Sequence, residues 1–576
     1  MDFLDLLGTI HGNLVLEIGL IIILATILSF IVRLFKQPLI PAYIIAGVIL
    51  GPIGLGLIKD PVAIRALSEL GISFLLFVVG LEINLSKLKT VGPAVIFGGL
   101  LQIIAVYVIG YFTALSLGFA QFESTIIGLV LTFSSTMVVI KLLSDSEQID
   151  TLHGRLALGI LLIQDVVVFI VLALLATFNE SFSINLITNA LLKLIVLSVI
   201  AFLFGKYIFP GLFSFAAKSK ELLFMASITV LFLFTTISHL LEFSIAIGAF
   251  LAGMALANLP YHHDIIGKVN PLKTFFATLF FVSLGMQLTP IPYSSFKIAF
   301  IFLGIILIIK PIVIYLLTTF FGYEKRTAFL TGLSLGQVSE FSLIIVTLPF
   351  VLNLISAELF SMIIFIAIIT MILTSYVLEF QNGIYMIFLP ILNLIEKIIP
   401  INLKHELEYK AKQSKNDTVL IGCHRMGAIF LDTLKNFRKK VLVIDNNPEI
   451  IKRLIKRKIP SLYGDVRNRE ILDKIRFKKI KTIVSTVPHE IENLFLIDYV
   501  KSKNPKINLL VTANHFHSAK KMYNAGADYV ILPHLLTGEK VSLIMRKTFK
   551  NKKYLKNLTK KHYKLLGVDE NLINKF

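Results

Sequence analysis

Thr132-Phe133-Ser134-Ser135-Thr136 and Gly332-Leu333-Ser334-Leu335-Gly336-Gln337-Val338-Ser339-Glu340 each interrupt an apolar run with small and polar residues. The first lies within residues 123–144 and the second within 326–349. Both runs are long enough to cross a bilayer, which takes roughly 20 mostly apolar residues. Backbone that leaves the helical ladder at membrane depth survives only where protein or a water-filled cavity covers it. Two such interruptions at matching places are the pattern of an inverted-repeat transporter, whose broken helices build a site near the midplane.

The flanking sequence fits that pattern. Thirteen candidate spans lie near residues 14–35, 39–58, 66–84, 92–117, 123–144, 154–178, 184–208, 221–239, 243–258, 271–290, 296–321, 326–349 and 355–378. They divide as six, one and six, so the fifth and twelfth spans, seven apart, are repeat partners. The expected fold is a polytopic α-helical membrane protein with inverted six-span repeats and two crossed broken helices. Arg33, Lys36, Lys87, Lys89, Arg155, Lys218, Lys220, Lys268, Lys325 and Arg326 fall in alternate loops, with Lys59 and Arg65 as the main exceptions. The positive-inside rule then places the N-terminus outside and the C-terminal region in the cytoplasm.

Composition separates these two regions. Charged residues make up 16% of the chain, against about a quarter in soluble proteins. Mean hydropathy is +0.81. Residues 1–400 carry 19 Lys+Arg and 20 Asp+Glu, a net of −1, and the remainder carries 37 and 16, a net of +21. A basic domain beneath an anionic leaflet gains from that charge, so it is read as facing membrane lipid rather than nucleic acid. Cys423 is the one cysteine, which leaves no intrachain disulfide. Residues 1–13 contain acids and no basic n-region, so no cleavable signal peptide is expected.

Ionisable side chains at mid-membrane are costly and usually serve a pathway or a partner. Asp165, after Gln164, lies near the centre of the sixth span, Lys310 of the eleventh, and Glu340 of the twelfth. A carboxylate that holds either a proton or a dehydrated cation couples the two fluxes by competition. Thr132, Ser134, Ser135 and Thr136, with unwound carbonyls beside them, can replace a cation's water. Lys310 and Glu340 are read as charge compensation, of the carboxylate or of half-helix ends. The alternative is a buried ion pair that only fixes helix packing.

Residues 37–56 (QPLIPAYIIAGVILGPIGLG), 74–88 (FLLFVVGLEINLSKL), 132–143 (TFSSTMVVIKLL), 156–168 (LALGILLIQDVVV), 248–258 (GAFLAGMALAN), 280–286 (FFVSLGM) and 336–341 (GQVSEF) together resemble the second monovalent cation:proton antiporter family, in particular its Kef-type potassium-efflux members. The resemblance implies that Asp165 is the carboxylate that binds ion and proton, with Gln164 beside it. It implies a homodimer in the inner membrane, K⁺ favoured over Na⁺, and electroneutral exchange because the position before Asp165 is not a second acid. The chain departs from the family at Asn258-Leu259-Pro260, where an acidic stretch is usual, so glutathione-type gating is not implied.

From Thr418 short β-rich runs alternate with helical ones, at residues 418–421, 441–444, 461–463, 482–486, 508–512 and 529–532, the signature of a doubly wound α/β Rossmann-type domain. Gly422-Cys423-His424-Arg425-Met426-Gly427 follows the first strand, and Asp445 ends the second, 23 residues after Gly422. This is a dinucleotide fingerprint with His424 in place of the middle glycine, the one that lets pyrophosphate approach the backbone. With Gly464-Asp465, the stretch 417–533 resembles the regulator-of-K⁺-conductance N-terminal domain. That resemblance implies regulation and binding of AMP or NAD(H), with Gly422, His424, Arg425, Gly427, Asp445 and Asp465 as contacts. The expected order is an exchanger domain over 1–378, an interfacial helix and linker over 379–414, the regulatory domain over 415–534 and a basic helical tail over 535–576. No constellation for hydride transfer is present, and no enzyme activity is expected. Two other functions compete. A ligand-gated potassium channel has only Thr90-Val91-Gly92 as an echo of a selectivity filter, without its continuation or a pore helix. A membrane sensor would use the spans as a receptor and carry no flux.

Overall fold

The computed structural model describes residues 14–559, apart from 36, 59–60, 83–92, 147, 150, 176–183, 242, 244, 399–407, 410–415, 437–439, 465, 467–470, 473–474, 476, 551–553 and 556. Two compact units form, one of residues 1–149 and 153–402, the other of 150–152 and 403–576.

The first unit is helical. It runs α1 (Leu14–Leu34), α2 (Ile40–Leu50), α3 (Pro61–Glu82), α4 (Pro93–Ser116), α5 (Gln121–Thr132), α6 (Thr136–Asp145), α7 (Leu152–Leu175), α8 (Ile184–Leu203), α9 (Phe209–Ala216), α10 (Lys220–Leu240), α11 (Ile245–Leu256), α12 (His262–Met286), α13 (Tyr293–Gly304), α14 (Lys310–Phe320), α15 (Lys325–Ser334), α16 (Glu340–Val351), α17 (Ala357–Glu379) and α18 (Gln381–Ile398). Each of the thirteen expected segments carries a helix. Among the described residues nine helices are long and apolar enough to cross a membrane, and α2, α11 and α16 are shorter apolar helices. The fifth segment is broken between α5 and α6, and the twelfth between α15 and α16, at the two polar interruptions.

Two further segments bend without breaking. A π turn over Phe204–Ile208 joins α8 to α9, and another over Ile305–Ile309 joins α13 to α14. Each ends two residues before a proline, Pro210 or Pro311. A proline ring clashes with the carbonyl four residues earlier, and here that carbonyl falls inside the widened turn, which gives it room. The second π turn also resets the helical phase just before Lys310.

Glycines show how the repeats are related. Gly47 on α2 packs against Gly285 on α12, where an added Cβ would stand 2.0 Å from the Val282 or the Ile44 carbonyl oxygen, respectively. Gly80 on α3 packs against Gly253 on α11, with Cβ positions 2.3 Å from Phe250 O and 2.1 Å from Phe77 O. Counting seven spans forward turns α2 into α11 and α3 into α12. The α2–α12 crossing therefore maps onto the α11–α3 crossing, as a two-fold relation between repeats requires. Gly253→Ala must push the α3 and α11 backbones apart, and overpacking of this kind costs about 1–3 kcal/mol. The thermal midpoint of the detergent-solubilised protein is expected to fall clearly for Gly253→Ala. It should stay put for Gly267→Ala, an exposed position on α12 with nothing within 4 Å of the new methyl.

The second unit holds a seven-stranded sheet. Its strands are β1 (Glu408–Tyr409), β2 (Thr418–Ile421), β3 (Val441–Asp445), β4 (Ser461–Tyr463), β5 (Thr482–Ser485), β6 (Asn508–Thr512) and β7 (Tyr529–Ile531), in the order β1-β4-β3-β2-β5-β6-β7. Every pairing is parallel except that of β1 with β4 at one edge. Val419, Ile421, Ile483 and Leu509 face one core, and Leu420, Val443 and Val484 the other, so both faces are covered as a parallel sheet demands. The strand order reverses at the β2–β5 junction, and ligands of such sheets bind at that switch point. Among the described residues the helices α19 (Arg425–Asn436), α20 (Pro448–Lys456), α21 (Glu490–Lys503) and α22 (Phe516–Asn524) flank the sheet, and α23 (Pro533–Lys550) follows it.

Candidate ion-binding site

The two broken segments meet at their breaks. The Ser134 hydroxyl donates to Leu335 O at 2.8 Å, and Gln337 Nε2 donates to Ser135 O at 3.4 Å. Farther along, the Ser342 hydroxyl donates to Val130 O at 2.9 Å. The second break is also held by α17, where Thr370 Oγ1 accepts from Val338 N at 3.2 Å and Thr374 Oγ1 donates to Gly336 O at 3.2 Å. Unwinding frees carbonyl and N–H groups that water cannot reach, and these side chains satisfy several of them.

Asp165 on α7 reaches the first break. It is 5% exposed, and the Thr136 hydroxyl lies 3.1 and 3.0 Å from its two carboxylate oxygens. Thr136 opens α6, so the carboxylate sits at a helix N-terminus, where the partial positive charge of free N–H groups favours an anion. The other three hydroxyls of the motif are occupied differently. Thr132 donates to Gly128 O within its own helix, Ser134 reaches Leu335, and Ser135 caps α6 by accepting from Val138 N at 3.2 Å. Of the four, Thr136 alone bonds the carboxylate.

Both polar atoms of Gln164 have protein partners. Its Oε1 accepts from Ser134 N at 2.9 Å, and its Nε2 donates to Gln102 Oε1 at 2.6 Å. Gln102, buried on α4, passes the chain on by donating to Thr132 O at 3.3 Å. The geometry makes Gln164 a clamp on the break. Gln102 is not among the residues that the sequence singles out, although an amide in the middle of an apolar span is the same kind of signal as a mid-span acid.

Lys310 is wholly buried, and its Nζ donates to Phe133 O and Gln337 O, both at 3.0 Å. One carbonyl belongs to each break, so the amino group staples the two and faces the C-terminal end of α5. Glu340 opens α16 at 1% exposure, in electrostatic reach of Asp165 and Lys273. Lys273 on α12 also feels Glu82 at the end of α3. Lys273 lies two residues into an expected span, where a lysine reads as an ordinary boundary residue.

In the second unit the Gly422 turn has φ +80°, which only glycine adopts without strain, and a Cβ on Gly427 would stand 2.0 Å from Gly422 O. Both glycines therefore act as the fingerprint requires. His424 is exposed at the middle position, and Arg425 is the first residue of α19. Asp445 is turned to the backbone. Its Oδ2 accepts from Cys423 N at 2.6 Å and its Oδ1 from Asn447 N at 2.7 Å. Burial pushes its carboxyl above the usual range, and the two N–H groups act in the opposite direction. Asp445 thus ties the glycine turn to β3. Asp465 falls outside the described residues.

Comparison with known proteins places the chain. The family described as sodium/hydrogen exchanger, transmembrane, matches residues 19–380, and the TrkA-N domain matches residues 418–533. YbaL of Escherichia coli (strain K12), provisionally named a cation/proton antiporter, is 28% identical over 92% of this chain and 95% of its own length. The glutathione-regulated potassium-efflux system protein KefC of Escherichia coli O139:H28 is 27% identical over 84% of this chain and 77% of its own. A solved sodium proton antiporter from Methanocaldococcus jannaschii is 18% identical, with a TM-score of 0.49, covering 66% of this chain and 97% of that one. The chain is a multi-pass membrane protein of the antiporter class with a TrkA-N domain, and it is not an enzyme. It belongs to the sodium/hydrogen exchanger family.

Proposed function

We propose that this antiporter exchanges one potassium ion for one proton at Asp165 by alternating access, and that its TrkA-N domain sets the rate in response to AMP or NAD(H). The observation that carries the reading is the buried Asp165 carboxylate against Thr136, at the crossing of two broken helices. It can hold a proton or a cation, and one acid serves both only in turn. Gln164 adds no second charge beside it, which favours a one-for-one exchange without net charge movement. The potassium preference leans on the KefC relative. The basic loops and the net of +21 beyond residue 400 favour a cytoplasmic C-terminal domain near anionic lipid, with the N-terminus outside, and the family resemblance favours a homodimer in the inner membrane. For the soluble domain, the glycine turn at the start of α19 offers N–H groups to a phosphate. The exposed His424 at the middle position narrows the approach, so a mononucleotide fits more easily than a pyrophosphate.

The test is exchange by the reconstituted full chain. Proton flux should be driven by a K⁺ gradient more strongly than by Na⁺ and be unchanged by an imposed membrane potential. AMP or NADH on the soluble-domain side should alter its rate without altering cation preference. Flux with neither cation overturns the antiport reading. A rate that follows the potential overturns the stoichiometry, and indifference to both nucleotides overturns the regulation.

A further inference from the structure

Glu340 is a membrane-buried acid to which exchange at Asp165 alone gives no role. It is 1% exposed, and neither carboxylate oxygen closes a hydrogen bond of ordinary geometry. The Ser135 hydroxyl, the Met137 N–H and its own N–H are the donors beside it. Gln337 Oε1, three residues earlier in the same break, is also buried and unpartnered. A lone carboxylate in such a place is too costly to stay ionised and unpaired, so it holds a proton or has a cation nearby. The charged groups in its electrostatic reach are Asp165 and Lys273, and Lys273 leads on to Glu82. Asp165, on α7, meets the first break at Thr136, and Glu340, from the second break, meets it at the neighbouring residues Ser135 and Met137.

We infer that Glu340 is the proton-carrying partner of Asp165, supplying the proton that displaces the cation and taking it back in the return direction. The inference rests on Asp165 as the exchange site. When the cation sits on Asp165, that carboxylate is ionised and Glu340 is the neutral acid, since two nearby buried acids do not both ionise cheaply. As the cation leaves, the O–H bond of Glu340 breaks and a new O–H bond forms on an Asp165 oxygen. The two carboxyl groups together keep one negative charge, now on Glu340 within electrostatic reach of Lys273, and the site is one unit more negative than with the cation bound until Glu340 is reprotonated. Glu340 then regains a proton from water along the Lys273–Glu82 side. One proton enters for each cation that leaves, so the stoichiometry stays one for one. Cation and proton reach the site by different residues, which no assignment of Asp165 alone requires.

Two transport modes of the reconstituted full chain separate this role from others. Proton-coupled exchange needs the transfer, whereas exchange of rubidium for potassium at equal pH on both sides does not. Glu340→Gln keeps the size of the side chain and removes the transferable proton. It should slow K⁺-driven proton flux by at least about 100-fold, the scale on which a positioned proton donor acts. Rubidium–potassium exchange should stay within about threefold of wild type, and Glu340→Asp should recover a fraction of the proton flux. Unchanged proton flux in Glu340→Gln overturns the inference, because the proton then travels without Glu340. Equal loss of both modes also overturns it, because Glu340 is then a cation ligand or a structural residue. The Asp165 reading fails separately, if Asp165→Asn keeps either mode.

Discussion

Asp165→Asn is expected to bring both K⁺-driven proton flux and rubidium–potassium exchange down to the level of protein-free liposomes. Asparagine preserves the side-chain volume, and its amide oxygen can still accept from the Thr136 hydroxyl, which lies 3.1 and 3.0 Å from the two carboxylate oxygens. It has no negative charge to balance a dehydrated cation and no site for a transferable proton. A charge buried at membrane depth costs several kcal/mol on most scales. Removing it should therefore leave the thermal midpoint of the solubilised protein at or above that of wild type. That contrast is the useful one. Inactive and unfolded would be uninformative, whereas inactive and at least as stable assigns the carboxylate to transport. Residual K⁺-dependent proton flux in this variant would sink the site.

The pairing of breaks at Thr132–Thr136 and Gly332–Glu340 was readable because sequence states directly where an apolar run turns polar, and membrane physics makes such a place meaningful. Side-chain wiring was not. Thr132, Ser134, Ser135 and Thr136 are equivalent as composition, yet their hydroxyls go to four different acceptors or donors once the backbone unwinds. The resemblance sets Gln164 beside the ion-binding carboxylate, as part of the cation and proton site. In the fold its two polar atoms are already taken by Ser134 and Gln102. The alternation of β runs with helical runs after Thr418 foreshadows the sheet, and Gly422 and Gly427 stand where a fingerprint puts them. Asp445 shows the limit of a motif. Its position at the end of β3 fits a ribose contact, but its oxygens accept from Cys423 and Asn447 N–H groups, a choice set by the path of the turn. The π turns before Pro210 and Pro311 were also out of reach, because a proline says that the ladder must yield and not how it yields.

Lys310 offers the second large effect. Its amino group is the shared donor for Phe133 O and Gln337 O, at 3.0 Å each, in a place with no exposure. Lys310→Met keeps most of the volume and removes every donor. Each buried carbonyl left unpaired costs about 1–3 kcal/mol, so the pair sets a loss of roughly 2–6 kcal/mol if the breaks do not rearrange. Thermal unfolding of solubilised Lys310→Met is therefore expected far below wild type, with transport lost. Lys310→Arg keeps the charge and can still donate to both carbonyls, though its larger head must fit a closed site. It should fall between the two in stability and retain measurable exchange. The ordering tests the assignment more sharply than either variant alone. If Lys310→Met and Lys310→Arg lose stability equally, volume rather than hydrogen bonding holds the crossing. If Lys310→Met matches wild type in stability and flux, the amino group does not staple the breaks, and the carbonyls of Phe133 and Gln337 must be satisfied by other groups.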